Sequence, residues 1–470
     1  MTEVAEGELS ALKGRRPGGR GPRARISQSD VVSHTGSNAQ PSRNRRIDLG
    51  SVGPRRQVDA LAMYGFVALG LPDGMIGTAW PAMRGGFGVP LDGLGIVLLL
   101  GTAGAVCSSS VSGLAVVRLG IRWTIVLAGL IGSLGALGFV LSPTFWALLA
   151  GAGAIGLTAG LLDSSLNAAV ALTGRNRLLN ALHGSYGIGT TIGPLVVTAA
   201  ILVVSWRPAY GVLLLAELGV VGGWWAAGRR RASSAPRPHQ ADGGGAGGGS
   251  SKQAGPGNAA LPATTAQAMS GRRRLATTVT LGLVVFMVYT GFEVSAGQWG
   301  PSFDRGPLKL GAGATGIATF GFWAALTLVR FALAAPRRPL SQRHIVNWGC
   351  AIAIVGAALV WWRPAAAVAV IGLVVIGGAL AGVFPALVAL TPGRVGEELA
   401  HHVIGWQIGA ANVGGAAISA AFGAIFQHYG LEYFGPALLV TAFVSMAGVL
   451  VLERVSAPRR VGQKPLAPLA

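Results

Sequence analysis

The chain has 470 residues, of which 51% are hydrophobic and only 11% are charged, and its mean hydropathy is +0.56. Because charged residues make up about a quarter of an ordinary soluble domain, this composition excludes a soluble globular protein. The formal net charge of +20 does not indicate a nucleic-acid partner, since the basic residues lie between the apolar runs and form no basic face with interleaved aromatic residues.

Residues 1–57 are rich in Arg, Gly, Ser and Pro and have no apolar periodicity, which predicts a disordered basic tail. They lack the short charged region and the cleavage site of a signal peptide. The first apolar run, which begins at about residue 58, is therefore expected to remain in the mature protein as a membrane anchor.

Twelve apolar runs follow, each about as long as the ~20 residues that cross a bilayer as a helix. They predict spans at about 58–84, 94–117, 123–141, 145–171, 179–205, 209–228, 276–302, 312–335, 344–362, 366–391, 399–427 and 433–453. A Gly/Ser/Pro-rich segment separates the first six spans from the last six. We therefore expect an N-terminal bundle at 58–228, a flexible cytoplasmic linker at 229–275, a C-terminal bundle at 276–453 and a cytoplasmic tail at 454–470.

The distribution of Arg and Lys predicts the orientation of these spans. With the N-terminus inside, the tails, the linker and alternate connections hold most basic residues, whereas the other side holds only Arg84, Arg207, Arg305, Lys309 and Arg363. The positive-inside rule then places both termini in the cytoplasm. The expected location is the cell (plasma or inner) membrane, as a multi-pass protein.

A repeated pattern relates the two blocks of spans. An acid followed by Gly four positions later and Pro eight positions later occurs in the first span and again, 220 positions further on, in the seventh. The residues are Asp73, Gly77 and Pro81 in the first copy and Glu293, Gly297 and Pro301 in the second. Residues 186–189 match 406–409 at the same offset. Two parallel six-helix repeats are typical of a rocking transporter with its solute near the midplane; a channel is less natural, because pores usually form from rings of identical subunits or loops.

Three acids lie inside the predicted spans. A charge at the bilayer centre costs at least ~2.5–3.5 kcal/mol, so Asp73, Asp163 and Glu293 are candidates to carry a proton or contact a solute, although a carboxyl that caps a broken helix or pairs with a neighbour stays an alternative. Asp163 and Asn167 are four residues apart and share one helix face, so both can contact one ligand.

Further polar residues complete the candidate site. His183 in the fifth span is either a proton relay or a hydrogen-bonded packing residue, and Arg330 is expected to snorkel near the inner end of the eighth span. The amides and the aromatic ring of the seventh and eleventh spans suit a polyhydroxylated ligand. The proton-coupling candidates are Asp73, Asp163 and His183; the substrate-binding candidates are Asp73, Asn167, Glu293, Gln298, Trp299, Gln407 and Asn412.

Residues 58–453 resemble the major facilitator superfamily, and within it the branch of the fucose–proton symporters. The resemblance rests on Gly-Leu-Pro-Asp-Gly at 70–74 with Trp-Pro at 80–81, and on residues 160–167, 183–194, 293–299 and 405–407. It implies the major facilitator fold, an all-α integral membrane fold of twelve transmembrane helices in two pseudo-symmetric six-helix bundles. It also implies that Asp73 engages a sugar and that Asp163 cycles a proton.

The expected function is secondary active transport by rocker-switch alternating access, as proton-coupled symport of a small polar solute such as a sugar. The alternative is a proton-driven efflux antiporter for a drug-like metabolite. An enzyme is not expected, because no nucleophile with a paired base, metal constellation or nucleotide loop is present. We expect a monomer in the lipid bilayer, with a small solute and protons as partners and with no cofactor, metal or nucleic acid.

Overall fold

The computed structural model describes residues 55–171, 175–234, 265–334 and 340–456. These residues form thirteen α-helices and one short 3-10 turn at Leu431–Tyr433. The helices are α1 Arg55–Phe87, α2 Gly93–Leu119, α3 Ile121–Leu141, α4 Phe145–Ala171, α5 Asn176–Val203, α6 Arg207–Ser234, α7 Thr265–Arg305, α8 Ala312–Ala334, α9 Gln342–Trp362, α10 Ala366–Leu380, α11 Val383–Val395, α12 Glu397–Tyr429 and α13 Phe434–Ser456.

The described helices provide twelve segments that are long and apolar enough to cross a membrane. The helices α10 and α11 together form the tenth segment, which is interrupted at Ala381 and Gly382, so that α12 and α13 are the eleventh and twelfth. The predicted fold class, a twelve-helix all-α membrane protein, is confirmed.

The helix ends extend beyond the predicted spans at the central connection. Helix α6 continues to Ser234 and α7 already begins at Thr265, both within the segment predicted as linker, while residues 235–264 lie outside the described residues. Helix α1 begins at Arg55, and the rest of the predicted N-terminal tail also lies outside them, as does the C-terminal tail from residue 457. Hydropathy marks the part of a helix that matches the bilayer thickness, whereas helical hydrogen bonds continue into polar sequence.

Small residues bring α1 and α5 into main-chain contact. A Cβ at Gly70 would lie 2.1 Å from the main-chain oxygen of Tyr186, and a Cβ at Gly74 would lie 2.1 Å from that of Thr190. On α5, a Cβ at Gly189 would meet the main-chain oxygen of Val67 at 2.1 Å. Glycine therefore permits this approach, which holds the middle of α1 firmly against α5.

The helices form two halves, α1–α6 and α7–α13. Within the first, α1 packs on α5, α2 and α3 on α4, and α3 on α6; within the second, α7 packs on α12 and α13, and α10 on α8 and α9. The halves meet mainly along α5 and α8, α2 and α12, and α1 and α7. The α5–α8 and α2–α12 contacts are equivalent under the sequence repeat. The first joins the fifth span of the N-terminal half to the second span of the C-terminal half, and the second joins the second span of the N-terminal half to the fifth span of the C-terminal half.

The halves are in close contact at the end of the molecule where α1 ends and α2 begins. There, a Cβ at Gly95 would lie 2.7 Å from the Cα of Ala420, and the amide of Leu91 donates a 2.7 Å hydrogen bond to Oε1 of Gln427. Nearer the start of α12, a Cβ at Gly405 would meet no atom within 4 Å. The close contacts of Gly95 with Ala420 and of Leu91 with Gln427 therefore lie at this end of the molecule.

Candidate functional site

Asp73 lies in the middle of α1 and is bound from both halves. Its carboxylate accepts a hydrogen bond from the hydroxyl of Tyr186 on α5, and its main-chain oxygen accepts one of 2.8 Å from Nε2 of Gln298 on α7. The side chain of Asp73 is exposed although the residue lies in the middle of α1. Asp73 is therefore accessible from outside the packed helices.

A second group of polar side chains surrounds Glu293 on α7. Its carboxylate pairs with Nη2 of Arg330 on α8 at 3.3 Å and accepts a hydrogen bond from the hydroxyl of Tyr289. The same two side chains reach the break between α10 and α11. The single O–H proton of Tyr289 is shared between Glu293 and the main-chain oxygen of Leu380, which lies 2.7 Å away, and Nε of Arg330 donates to the main-chain oxygen of Ala381 at 3.1 Å. The pair therefore satisfies carbonyls that lack the next helical N–H.

The two groups belong to one cluster. The Tyr186 side chain lies in the electrostatic field of Asp73, Arg330 and Glu293, so side chains from α1, α5, α7 and α8 converge between the halves. Arg330 lies in the last turns of α8, at the end predicted to be the inner one, but the expectation that its side chain snorkels was wrong. One carbonyl, of Ala381, and one carboxylate, of Glu293, hold its guanidinium.

His183 lies on α5, about one turn before Tyr186, and is near Arg330. Its exposed ring contacts Phe66 of α1 edge-on, with the ring centroids 5.7 Å apart. Both His183 and Asp73 are exposed. The choice between a relay and a packing role stays a prediction.

Asp163 and Asn167 form a local pair on α4. Nδ2 of Asn167 donates a 2.8 Å hydrogen bond to Oδ1 of Asp163, and both side chains are half-buried. Oδ1 of Asn167 is buried and has no partner among the described residues. The two residues share one helix face, as their spacing predicts, but their hydrogen bond does not connect them to the Asp73 group.

Gln298 and Trp299 pack at the contact between α7 and its neighbours. The side chain of Gln298 is buried against Gly77, whose Cβ would lie 2.7 Å from Oε1 of Gln298, and that oxygen has no partner within the described chain. Nε1 of Trp299 donates a 2.9 Å hydrogen bond to the main-chain oxygen of Ser419 on α12. Gln298 thus lies next to the Asp73 group, whereas the fully buried Trp299 joins α7 to α12.

The two amide candidates of α12 differ in environment. Gln407 is buried, and its Oε1 accepts a 2.9 Å hydrogen bond from the hydroxyl of Thr391 on α11. Asn412 is exposed. Next to Gln407 in the chain, Trp406 is exposed, whereas Trp323 on α8 is buried against Phe322.

Sequence reasoning missed several polar residues that the structure brings into the interior. Tyr186 and Tyr289 supply the hydroxyls of the central cluster, and their signal was present: Tyr186 begins a repeated segment, and Tyr289 precedes Glu293 by one helical turn. Two further acids are buried. Glu217 on α6 packs against Gly132, and Asp304 lies in the last turn of α7.

An ion pair ties the start of α1 to the connection between α4 and α5. Arg175 donates to Oδ1 of Asp59 at 2.7 Å and pairs with the second carboxylate oxygen as well. The hydrogen bond that Arg175 donates to Asp59 raises the pKa of the Arg175 guanidinium. This end of α1 is therefore fixed to its own half by a bidentate contact.

Comparison with known proteins identifies the fold. Residues 62–420 match the family model of the Major Facilitator Superfamily. Similar solved structures include a D-xylose–proton symporter, with a TM-score of 0.64, 11% identity and coverage of 86% of this chain and 98% of that one. They also include a single-site variant of the nucleoside transporter NupG, with a TM-score of 0.62, 14% identity and coverage of 85% and 100%. A search of curated proteins gave no match.

Proposed function

We propose that this chain, which belongs to the Major Facilitator Superfamily, is a proton-coupled symporter of a small polar solute such as a sugar. It is a multi-pass membrane transporter and not an enzyme. The mechanism is rocker-switch alternating access, in which the two halves expose one central site to each side of the membrane in turn.

The observation that carries this proposal is the convergence of Asp73, Tyr186, Glu293 and Arg330 from both halves. A carboxylate and a tyrosine hydroxyl offer hydrogen-bond acceptors and a donor to the hydroxyl groups of a sugar. Because the groups belong to different halves, rocking changes their spacing and therefore their affinity for solute. A mobile proton on one of the acids couples that change to the proton gradient.

The roles we assign follow from position. Asp73, Asp163 and His183 are the proposed proton carriers. The proposed solute contacts are Asp73, Asn167, Glu293, Gln298, Trp299, Gln407 and Asn412. Gln298, Trp299 and Gln407 are buried and reach a solute only if the packing around them changes, whereas Asp73 and Asn412 are exposed.

The finer assignments are likewise proposals. The resemblance of the first-span sequence around Asp73 supports a place in the fucose–proton symporter branch. The charge distribution supports cytoplasmic termini and a cytoplasmic linker at 229–275, in a monomeric protein of the cell membrane. D-xylose–proton symport in a protein of the same fold supports the choice of a sugar.

The test is uptake of a panel of labelled monosaccharides by proteoliposomes under an imposed pH gradient, acidic outside. We expect accumulation of at least one sugar, together with proton entry, and loss of that accumulation when a protonophore collapses the gradient. A protein that instead exports an amphipathic compound against proton entry would be the efflux antiporter. A panel with no gradient-dependent sugar movement would contradict the proposal.

A further inference from the structure

A small cavity lies inside the C-terminal half, along the part of α7 that follows Glu293. It has a volume of about 10 Å³, close to the minimum that holds one water-sized occupant, and it lies among α7, α8 and α10. The residues that matter here are Gly297, Pro301, Asp304, Thr319, Phe322 and Leu373, all of which line it. They are buried, so the cavity belongs to the interior of the half.

Asp304 lines this cavity with a carboxyl group that has no positively charged partner. Its side chain is 1% exposed, and neither carboxylate oxygen has a hydrogen-bond partner among the described residues. Removing a carboxylate from water without a donor or counter-charge costs several kcal/mol. A folded protein keeps such a group either as the neutral acid, which needs no counter-charge, or together with a cation that supplies the missing positive charge.

The basic side chains near this end of α7 do not supply a positive charge to Asp304. Arg305 follows Asp304 but is exposed, and Lys309 is exposed as well. Arg363 lies over the ring of Phe303, at 5.3 Å from its centroid, but pairs with Glu432. Within the described residues, the elements that line the cavity therefore leave Asp304 without an ion pair.

Two neutral oxygens accompany the carboxylate. Pro301 has no N–H, so the main-chain oxygen of Gly297, four residues earlier, lacks its helical donor. The hydroxyl of Thr319 donates to the main-chain oxygen of Thr315 at 2.9 Å, which leaves its lone pairs available. A carboxylate, a carbonyl and a hydroxyl on one cavity are the oxygen ligands that hard cations prefer, and orphaned helix carbonyls bind Na⁺ in other membrane transporters.

The sequence repeat shows that the fold itself does not require an acid here. Pro81 and Arg84 stand in the first half where Pro301 and Asp304 stand in the second, at the offset of 220 positions. Arg84 is exposed and donates through Nε to the main-chain oxygen of Val89 at 3.3 Å. The buried acid is therefore specific to the second half and needs an explanation of its own.

We propose that this cavity binds one Na⁺, with Asp304 as the charged ligand and Thr319 and the Gly297 carbonyl as neutral ligands. The described residues contain no group of three or more His, Cys, Asp or Glu side chains that could hold a metal ion. One carboxylate with neutral oxygens balances the charge of a monovalent ion and not that of a divalent one. Gly297 adjoins the proposed solute contact Gln298 in the chain, but Asp304 and Thr319 are not among the proposed solute contacts. The ion site does not depend on the identity of the solute.

The experiment measures thermal unfolding of the purified full-length protein in detergent, with NaCl replaced stepwise by choline chloride at constant ionic strength. An ion that binds the folded state raises the apparent Tm by mass action, so we expect a saturable rise with Na⁺ and a smaller one with K⁺. Asp304→Asn should remove the Na⁺-dependent rise, and Thr319→Val should shift its midpoint to higher Na⁺ concentration. Thr278→Val, on the same helix as Asp304 but outside the cavity, is the matched control and should leave the midpoint unchanged.

Equal Tm values in Na⁺ and choline for the wild-type protein would overturn the proposal. A pH-dependent Tm without any Na⁺ effect, removed by Asp304→Asn, would also overturn it, because the cavity would then hold only a proton. If Asp304→Asn does not fold, direct binding of ²²Na⁺ is compared between the wild-type and Thr319→Val proteins. Weaker binding by Thr319→Val would support the site, and no binding by the wild-type protein would overturn it. No solute is used, so failure here leaves the proposed sugar transport untouched and failure of sugar transport leaves this site untouched.

Discussion

The side-chain amide of Gln298 on α7 donates a 2.8 Å hydrogen bond to the main-chain oxygen of Asp73 on α1. This bond crosses from one half of the molecule to the other at the acid that the sequence identified first. The carboxylate of the same residue is bound by Tyr186 from its own half. Any movement of the halves relative to each other therefore acts on α1 at Asp73.

Asp73→Asn should abolish sugar accumulation driven by a pH gradient while the protein still folds. The amide retains a hydrogen-bonding group for Tyr186 and leaves the main-chain contact with Gln298 intact, but it can carry neither a charge nor a mobile proton. Uptake in proteoliposomes is the measurement. Asp92→Asn is the control, because Asp92 lies in the connection between α1 and α2 and its side chain makes no capping hydrogen bond. Normal gradient-driven accumulation by Asp73→Asn would count against the proton role.

Tyr186→Phe should weaken solute binding only where Asp73 is present. The substitution keeps the ring and removes the hydroxyl that donates to the carboxylate. In a double-mutant cycle on solute affinity, residues in direct contact show coupling of about 0.5–3 kcal/mol. We therefore expect Tyr186→Phe to raise the solute Kd in the wild-type background and to have little further effect in Asp73→Asn. Additive effects would show that the hydroxyl acts independently of Asp73.

Tyr289→Phe should destabilise the protein more than Tyr64→Phe. Both hydroxyls donate to main-chain oxygens, of Leu380 and Ala216 respectively, but Tyr289 is 1% exposed and Tyr64 is 39% exposed. Loss of a buried donor leaves its acceptor unsatisfied at a cost of about 1–3 kcal/mol, whereas water or lipid headgroups replace an exposed one. The measurement is the apparent Tm of each variant in the same detergent. Equal changes would indicate that the break between α10 and α11 does not depend on Tyr289.

Gly70→Ala should destabilise the contact between α1 and α5. The new Cβ would lie 2.1 Å from the main-chain oxygen of Tyr186, so the helices must separate, and overpacking of this kind costs about 1–3 kcal/mol. Gly222→Ala on α6 is the matched control, because its Cβ would meet no atom within 4 Å. There we expect a small gain in stability from alanine's better helix propensity. The sign of the Tm change should therefore differ between the two variants, and a fall in both or in neither would contradict the packing argument.

Much of the fold was predictable because membrane helices are specified locally. A run of apolar residues signals a span whatever its neighbours do, and the repeat around Asp73 and Glu293 revealed the two halves. The interruption of the tenth span at Ala381 was not predicted, since both sides of the break are equally apolar and its carbonyls are satisfied by Tyr289 and Arg330 from other helices. The partners come from packing and not from the local sequence.

The candidate site was predictable only in part, because the partners of its side chains come from packing and not from the local sequence. Asp73, Asp163 and Glu293 stood out because a charge in an apolar run is costly wherever the helix packs. Asp304 was missed because it lies just beyond the apolar window of the seventh span, and its burial depends on α8 and α10 covering it.

The sequence by itself determined the twelve spans, the two repeated halves and the acids of the first and seventh helices, because hydropathy and charge are properties of single segments. The tertiary structure decided that Tyr186 binds Asp73, that Arg330 pairs with Glu293 and that Asp304 is enclosed. These relationships join different helices, most of them far apart in the chain. Their energies depend on distances of a few ångströms, which only the packing of the helices fixes.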